Sequence, residues 1–236
     1  MLAVFRSPSV AMYLAVHLCL LVLGVMADSV SAKEPQIVQE EIREFRILVD
    51  GNNAGKYSLT LAAHDDGTET MTGDSEVSLS YFNLIKYHMK TQGFEVWRGG
   101  HLQRLNNEAD FNGDKFVVQA TATGQTLDYN VNGKRGQVSA DIWVSSYWRE
   151  PEAKQLGRVL PLFDADKGRE LKAKLSKSGA EEIQVGTQMM PAAHYTLRGD
   201  VHVDLWYDER RRLIRQEDVD SGHKSRLELV RVTPSK

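Results

Sequence analysis

Cysteine is almost absent from this chain of 236 residues. The one cysteine, Cys19, lies in an apolar run near the N-terminus, so the rest of the chain has no disulfide to stabilise it. Residues 33–236 must therefore fold by burying a hydrophobic core, for which about 200 residues are ample. An excess of charge of one sign is also lacking, since 29 basic and 32 acidic side chains give a formal net charge of -3. This near balance argues against a nucleic-acid partner, which requires a basic surface.

Long hydrophobic runs are limited to one, from Ala11 to Val25. This run is too short for a membrane-spanning helix, which needs about 20 apolar residues. A preceding cation, Arg6, and the small residues up to Ala32 are typical of a secretory signal peptide. Residues 1–32 are therefore predicted to be a signal peptide of the Sec type, with cleavage after Ala27 as the alternative. The processed protein is expected to be periplasmic or secreted, without a membrane span.

After Phe45, apolar and polar residues alternate over most of the chain. Turn signals such as Asp50-Gly51 and Asn132-Gly133 recur about every 10 to 14 residues, which is typical of an antiparallel meander rather than of βαβ units. Residues 33–236 are therefore predicted to form a single antiparallel β domain. One predicted strand begins at Val77 and runs on through Tyr87.

Helix is predicted in one place, a turn or two within residues 152–159. The segment from Leu171 to Leu175 is ambiguous, because two leucines at helical spacing compete with a clean alternation of apolar and charged residues. Gly168 and Ser178-Gly179 bound this segment, which favours a strand.

Acidic turns are the first candidates for a metal site. Residues 110–114, 164–168 and 218–222 each place Asp or Asn side chains at alternate positions. None has the glycine at position six that the twelve-residue calcium loop requires, and Asp, Asn and Gly are also the usual residues of β-turns. Turns are therefore the preferred interpretation.

Histidines are the second candidates. His202 and Asp204 share one face of a predicted strand, and His194 and His223 lie on neighbouring predicted strands, so a zinc site is an alternative to solvent-facing or hydrogen-bonded histidines. The chain lacks the Gly-x-Ser-x-Gly motif, the Gly-x-Gly-x-x-Gly motif and the phosphate-binding loop. We predict no catalytic residue, no metal site and no cofactor.

Large aromatic side chains form two clusters in the sequence. Trp143, Tyr147 and Trp148 fall within six residues, and Trp206 and Tyr207 are adjacent, so their rings lie on opposite faces of one strand. One ring of that pair must face away from whatever covers the other. These five residues are the predicted ligand-binding residues, and packing in an aromatic core is the alternative interpretation.

Several of these segments resemble a family of uncharacterised exported proteins of Gram-negative bacteria, known only as a domain of unknown function. The matching features are residues 45–55, Ser146-Tyr147-Trp148, and residues 204–208 followed by Leu213-Ile214-Arg215. The resemblance spans nearly the whole mature chain and assigns no activity. Where this chain has Arg210-Arg211-Arg212, the family is expected to have a glycine-containing hairpin, so the turn there is expected to differ.

The succession of strands with one short helical insertion also resembles the architecture of LolA-type periplasmic lipoprotein carriers. That likeness implies a strongly curved antiparallel sheet, or half-barrel, of about a dozen strands around an apolar cavity. The favoured hypothesis is a non-enzymatic periplasmic protein that holds a hydrophobic molecule such as a lipid or acyl chain. A cell-envelope scaffold acting through a sheet face or edge is the alternative, and an enzyme has no catalytic constellation to support it. Aromatic rings that point inward around a void favour the carrier, whereas an exposed aromatic patch favours the scaffold.

Overall fold

The strands of the protein follow the alternation of apolar and polar residues in its sequence. The computed structural model describes residues 34–81, 85–220 and 222–235, and in it residues 71–78 are alternately buried and exposed. This is the pattern of a strand with one face on a core and the other on solvent. The strands within the described ranges are β1 (Ile37–Val49), β2 (Asn52–His64), β3 (Thr68–Tyr81), β4 (Ile85–Arg98), β5 (His101–Phe111), β6 (Asp114–Thr123), β7 (Thr126–Val131), β8 (Lys134–Ser139), β9 (Trp143–Val144), β10 (Val159–Asp164), β11 (Arg169–Val185), β12 (Gln188–Gly199), β13 (His202–Tyr207), β14 (Leu213–Asp220) and β15 (His223–Ser235).

All 15 strands belong to one sheet, in the order β8-β7-β6-β5-β4-β3-β2-β1-β15-β14-β13-β12-β11-β10-β9. Neighbouring strands are antiparallel except β9 and β10, which are parallel. Because β1 pairs with β15, the two ends of the sheet-forming chain meet in the middle of the sheet. Each half of the sheet is therefore a meander, and the predicted class of a curved, mainly antiparallel β fold is confirmed.

The sheet curls because its two edge strands are close neighbours in sequence. β8 ends at Ser139 and β9 begins at Trp143, yet the two strands lie at opposite edges of the sheet. The four peptide units that join Ser139 to Trp143 span at most about 14 Å when fully extended. A flat sheet of this width cannot satisfy that limit, so the two edges must approach each other.

The main hydrophobic cluster joins the two halves of the curled sheet. Val118 of β6 and Leu127 of β7 belong to the same buried cluster as Phe163 of β10. The Tyr129 and Phe163 rings, also from opposite halves, have centroids 5.3 Å apart. A second buried cluster lies within the half from β9 to β14 and contains Trp143, Tyr147, Tyr195, Tyr207 and several leucines.

The short helix and the strand at Leu171–Leu175 agree with the predictions made from the sequence. A 3-10 helix at Ala153–Gln155 is the one helical element in the described part of the chain. Leu171–Leu175 lies within β11, which continues through Gly179 by a register shift instead of ending there. The strand prediction for this segment is confirmed, although its predicted C-terminal limit is wrong.

The prediction that one strand runs from Val77 through Tyr87 is wrong. The chain reverses between Tyr81 and Ile85, which are paired across the β3–β4 hairpin. Val77 pairs with Met89, so the apolar alternation continues through the reversal without a change of phase. No glycine, proline or Asp-Gly pair marks the reversal, which is why the alternation alone suggested one continuous strand.

The turn after β13 contains a residue in the left-handed backbone conformation, and that residue is not glycine. Arg211 has a φ of 64°, a conformation that non-glycine residues seldom adopt. Asp208 stabilises the turn, because its Oδ1 atom accepts hydrogen bonds from the backbone N–H groups of Arg210 and Arg212. The geometry that a glycine-containing hairpin would provide is thus obtained through an aspartate side chain.

No helix among the described residues has the length and apolarity to cross a membrane. The predicted signal peptide, residues 1–32, lies outside the described residues.

A glycine in the β10–β11 loop offers a test of the curl. Gly168 has a φ of 60°, and a Cβ atom there would stand 2.2 Å from Cγ2 of Val131 on β7. Gly186 has the same φ of 60° with nothing within 4 Å, so it reports the backbone strain alone. We expect Gly186→Ala to cost about 1–2 kcal/mol of unfolding free energy. Gly168→Ala should cost about 1–3 kcal/mol more through overpacking.

Urea denaturation of both variants measures the difference. Equal losses would contradict the packing of the β10–β11 loop against the opposite half of the sheet.

Candidate binding cavity

The inner face of the curled sheet borders a cavity of about 1000 Å³ that is partly open to solvent. The cavity is lined by residues of β1 to β5 and of β13 to β15, together with the loop that follows β9 and the loops that precede β11 and β13. Along β4 the lining runs from Glu95 to Tyr87, which is about 26 Å at the usual rise of a strand. The cavity is therefore elongated and follows the strands.

Apolar side chains of β1, β3 and β4 line one end of the cavity, where Ser225 and Asp218 of the neighbouring strands line it too. Ile47 and Val49 of β1 contact Val77 and Leu79 of β3 and Met89 of β4 in a separate small hydrophobic cluster. All five also line the cavity, and we call them the apolar band. Between this band and the opposite end, the Ser75 and Thr91 hydroxyl groups are hydrogen-bonded to each other at 2.8 Å.

Polar side chains line the other end. Tyr57, Glu95, Asn107 and Asp166 all face the cavity there, and we call these four residues the polar end.

Two paired glycines make room for part of the polar end. Gly73 and Gly93 face each other across β3 and β4. A Cβ atom on Gly73 would lie 2.7 Å from the Tyr57 hydroxyl, and one on Gly93 would lie 2.8 Å from Oδ1 of Asn107. The Tyr57 and Asn107 side chains thus lie directly over the glycine backbone, where any other residue would displace them.

Glu95 is the most deeply buried carboxyl group of the polar end, with a relative exposure of 1%. Its Oε2 atom accepts hydrogen bonds from the indole N–H groups of Trp97 at 2.7 Å and Trp148 at 2.9 Å. The Ser146 hydroxyl also interacts with the carboxyl group, yet Oε1 is buried and has no hydrogen-bond partner among the described residues. Burial raises the pKa of Glu95, against the lowering by these donors and by the Arg149 charge.

Arg149 holds the two indoles of the Glu95 site together. Its guanidinium carbon lies 5.1 Å from the centre of the Trp97 ring and 5.0 Å from that of Trp148, within the range of cation–π attraction. The two rings meet edge to face at 6.2 Å. Arg149 also pairs with Glu69 of β3. The donors to Glu95 are therefore fixed by packing on all sides.

Asp166 reaches the cavity from the β10–β11 loop. The Nδ2 atom of Asn107 donates a hydrogen bond of 3.0 Å to its Oδ1 atom, which links the loop to β5. Burial, followed by the charge of Asp164, raises the pKa of Asp166 to about 6, against the opposing effects of Asn107 and Lys167. The polar end thus holds two carboxyl groups, both with raised pKa values.

The segment that carries Tyr147 runs along the seam where the sheet edges approach. Tyr147 has a φ of 48°, an unusual conformation for a bulky residue. It is held there by the Tyr207 hydroxyl, which donates a hydrogen bond of 2.7 Å to its carbonyl oxygen. Its ring meets the Trp143 ring edge to face at 5.3 Å. Next in sequence, Trp148 contacts Glu95 in the other half of the sheet.

The five predicted ligand-binding residues occupy three different places. Tyr147 lines the cavity, and Trp143 and Tyr207 pack with it in the second hydrophobic cluster. Trp148 reaches the polar end through its hydrogen bond to Glu95. Trp206 belongs to the same large hydrophobic cluster as Trp148, and its indole N–H has a different partner, Glu181. A ligand-binding role for these residues stays a prediction.

Trp206 is on the face of the sheet opposite the cavity. It pairs with Arg215, which alternates with the cavity-lining Gln216. Its ring stacks on His194 at 4.4 Å, and its indole N–H donates to Glu181 at 2.7 Å. With a relative exposure of only 8%, Trp206 does not form an exposed aromatic patch.

The histidines considered for zinc form separate pairs. The two ring nitrogens of His194 lie 3.1 Å from Glu181 and 2.8 Å from Asp204. His223 instead contacts Asp50 at 2.7 Å. Within residues 34–81, 85–220 and 222–235, no group of three or more His, Cys, Asp or Glu side chains is arranged to hold a metal ion.

Sequence reasoning missed the polar end, although two signals for it were present. Glu95 occupies an inward position between Gly93 and Trp97 on an alternating strand, where a charged residue breaks the apolar pattern. Asp166 belongs to an acidic segment that was considered for calcium. Asp164 of that segment instead caps the loop, because its Oδ1 atom accepts hydrogen bonds from the backbone N–H groups of residues 166 and 167.

Comparison with known proteins identifies the family and the fold. Residues 45–230 match the family described as "Domain of unknown function (DUF6134)". The fold is similar to that of a beta-barrel-like protein of domain of unknown function DUF1849 from Brucella abortus, with a TM-score of 0.60 and 9% identity over 86% of this chain and 100% of that chain. No curated protein matches the chain. The resemblance to a domain of unknown function is confirmed, whereas the likeness to LolA-type carriers and the exported origin stay predictions.

The raised pKa of Asp166 predicts how stability depends on pH. Its folded-state pKa of about 6 lies above the ordinary value of 3.8, so the unfolded chain loses this proton first as the pH rises. Stability contributed by the protonated form is fully present below about pH 4 and is lost by about pH 6. At 1.36 kcal/mol per unit, the loss is about 3 kcal/mol at most. Asp166→Asn stays neutral and should lack this loss.

Urea denaturation over that pH range, with Asp114→Asn at an exposed position of β6 as the matched control, measures the effect. A variant Asp166→Asn with the same pH profile as the wild type would contradict the assignment.

Proposed function

The chain belongs to the DUF6134 family, a domain of unknown function, and we propose from its cavity that it is a non-enzymatic binding protein for a hydrophobic molecule such as a lipid or acyl chain. The observation that carries the proposal is the elongated cavity of about 1000 Å³ inside the curled sheet. Cavities of about 300–1,000 Å³ are typical of small-molecule sites, so this one has room for a whole ligand.

The apolar band and the polar end lie in one cavity, which supports an amphiphilic ligand. The apolar band offers aliphatic and thioether side chains, against which an acyl chain would be removed from water. The polar end offers hydrogen-bonding groups within the same cavity. A few polar groups placed in a largely apolar cavity are the usual way in which such sites orient a ligand.

The aromatic residues favour this proposal over an envelope scaffold. Tyr57, Tyr147 and Phe111 line the cavity. Trp206, on the outer face, is nearly covered. Large exposed apolar side chains, such as Val117, Met189 and Val230, are scattered over different strands. Rings around a void, without an exposed aromatic patch in the described residues, fit a carrier better than a docking surface.

The test is native mass spectrometry of the protein purified from its own host, followed by thermal melting of the delipidated protein with long-chain lipids. We expect a bound mass in the first measurement and a higher melting temperature in the second, because a ligand that binds only the native state adds stability.

A variant that fills the apolar band makes the test specific to the cavity. Leu79→Trp places a large ring at a cavity-lining position, so it should weaken ligand-induced stabilisation by roughly tenfold in apparent affinity. Ser78→Trp is the matched control, since Ser78 is exposed on the opposite face of the same strand. Equal responses of the two variants, or no response of the wild type to any lipid, would count against the proposal.

We also propose that the protein acts in the periplasm or outside the cell, on the basis of residues 1–32 as a signal peptide. N-terminal sequencing of protein from the cell envelope should begin at Lys33. A chain that keeps Met1 in a membrane pellet would contradict this localisation.

A further inference from the structure

The polar end of the cavity presents more hydrogen-bond acceptors than donors. Glu95, Asp166 and Tyr57 all line this part of the cavity. Asn107 uses its amide N–H group on Asp166. A ligand group that enters this end therefore meets carboxyl oxygens.

Oε1 of Glu95 is the acceptor best placed for a ligand. Oε2 of the same carboxyl group already accepts two indole N–H groups. Oε1 is buried, has no hydrogen-bond partner among the described residues, and belongs to a side chain that lines the cavity. A buried acceptor without a partner is unfavourable, and a donor on the ligand would remove that penalty.

Cations near this acceptor already have partners. Arg149 lies over the Trp97 and Trp148 rings, pairs with Glu69, and is not a lining residue of the cavity. The ammonium group of Lys167 lies over the Phe111 ring at 5.1 Å. Arg169, which also lines the cavity, is paired with Asp164, so an anionic headgroup at the polar end would face two carboxyl groups and cations that already have partners.

We propose that Glu95 selects the headgroup of the ligand. Its Oε1 atom accepts a hydrogen bond from a donor, a hydroxyl or an ammonium group, at the end of an aliphatic chain whose body lies along the apolar band. The same carboxylate repels the carboxylate of a fatty acid. This inference rests on the proposed binding function and names the class of ligand, which is a neutral or cationic amphiphile with a terminal donor.

Three probes of equal chain length test the selection: dodecanol, dodecylamine and dodecanoate. Each is titrated into the delipidated protein at several pH values that extend well above the ordinary titration range of carboxyl groups, because burial raises the pKa of Glu95. Binding is followed by tryptophan emission and thermal melting. Dodecanol and dodecylamine should bind roughly tenfold or more tightly than dodecanoate.

The variant Glu95→Gln identifies the residue responsible. The amide keeps an acceptor and adds a donor while it removes the charge, so dodecylamine should bind more weakly and dodecanoate more tightly than to the wild type. Glu108→Gln is the matched control, because it makes the same change at an exposed position of β5 and should leave the three affinities unchanged.

The outcomes separate the inference from the function on which it rests. Equal binding of the three probes by the wild type would overturn the selection by Glu95 and leave the carrier function standing. The same holds if Glu95→Gln folds and retains the wild-type preference. Binding of none of the probes would overturn both. The comparison among probes uses the wild type alone, so it shows whether the cavity prefers a donor headgroup even if Glu95→Gln does not fold.

Discussion

The connection of three residues between β8 and β9 is the constraint that makes the sheet curl. Because Ser139 and Trp143 lie on opposite edges of a 15-stranded sheet, the sheet has to curl until its edges are within about 14 Å of each other. The curl places the inward side chains of both halves in one core and leaves an elongated cavity beside it. It also directs the chain after β9 along the seam, where Trp148 reaches Glu95 and the Tyr147 carbonyl accepts the Tyr207 hydroxyl.

Glu95 is where the fold and the site depend on each other. Its Oε2 atom joins β4 to the seam segment through Trp148, so it contributes to holding the sheet closed. Its Oε1 atom opposes folding, because it is buried and has no partner among the described residues. The Arg149 guanidinium, placed on the two indoles, offsets part of the cost of burying this carboxyl group. One side chain thus joins the two halves of the sheet and lines the cavity.

Local patterns in the sequence predict the strands but not their closure. Alternation identifies the class and the strand at Leu171–Leu175, because side-chain direction in a strand depends only on position along it. Alternation does not reveal the β3–β4 reversal, since Val77 and Met89 keep the same phase across the hairpin. It does not reveal the partners of Glu95 and Asn107 either. Trp148 is 53 residues from Glu95 and Asp166 is 59 residues from Asn107, distances at which only the curl of the sheet brings them together.

The cavity and its polar end reduce the stability of the fold. Two buried or half-buried carboxyl groups with raised pKa values, a strained Tyr147 and an unfilled interior all oppose folding. Apolar side chains at these positions would enlarge the core and remove each penalty. A chain without disulfides in its sheet has only its core to stabilise it, so such penalties reduce a small stability margin. Local features that weaken a fold and converge on one cavity are expected where the cavity itself is used, and here they converge on the space beside Glu95.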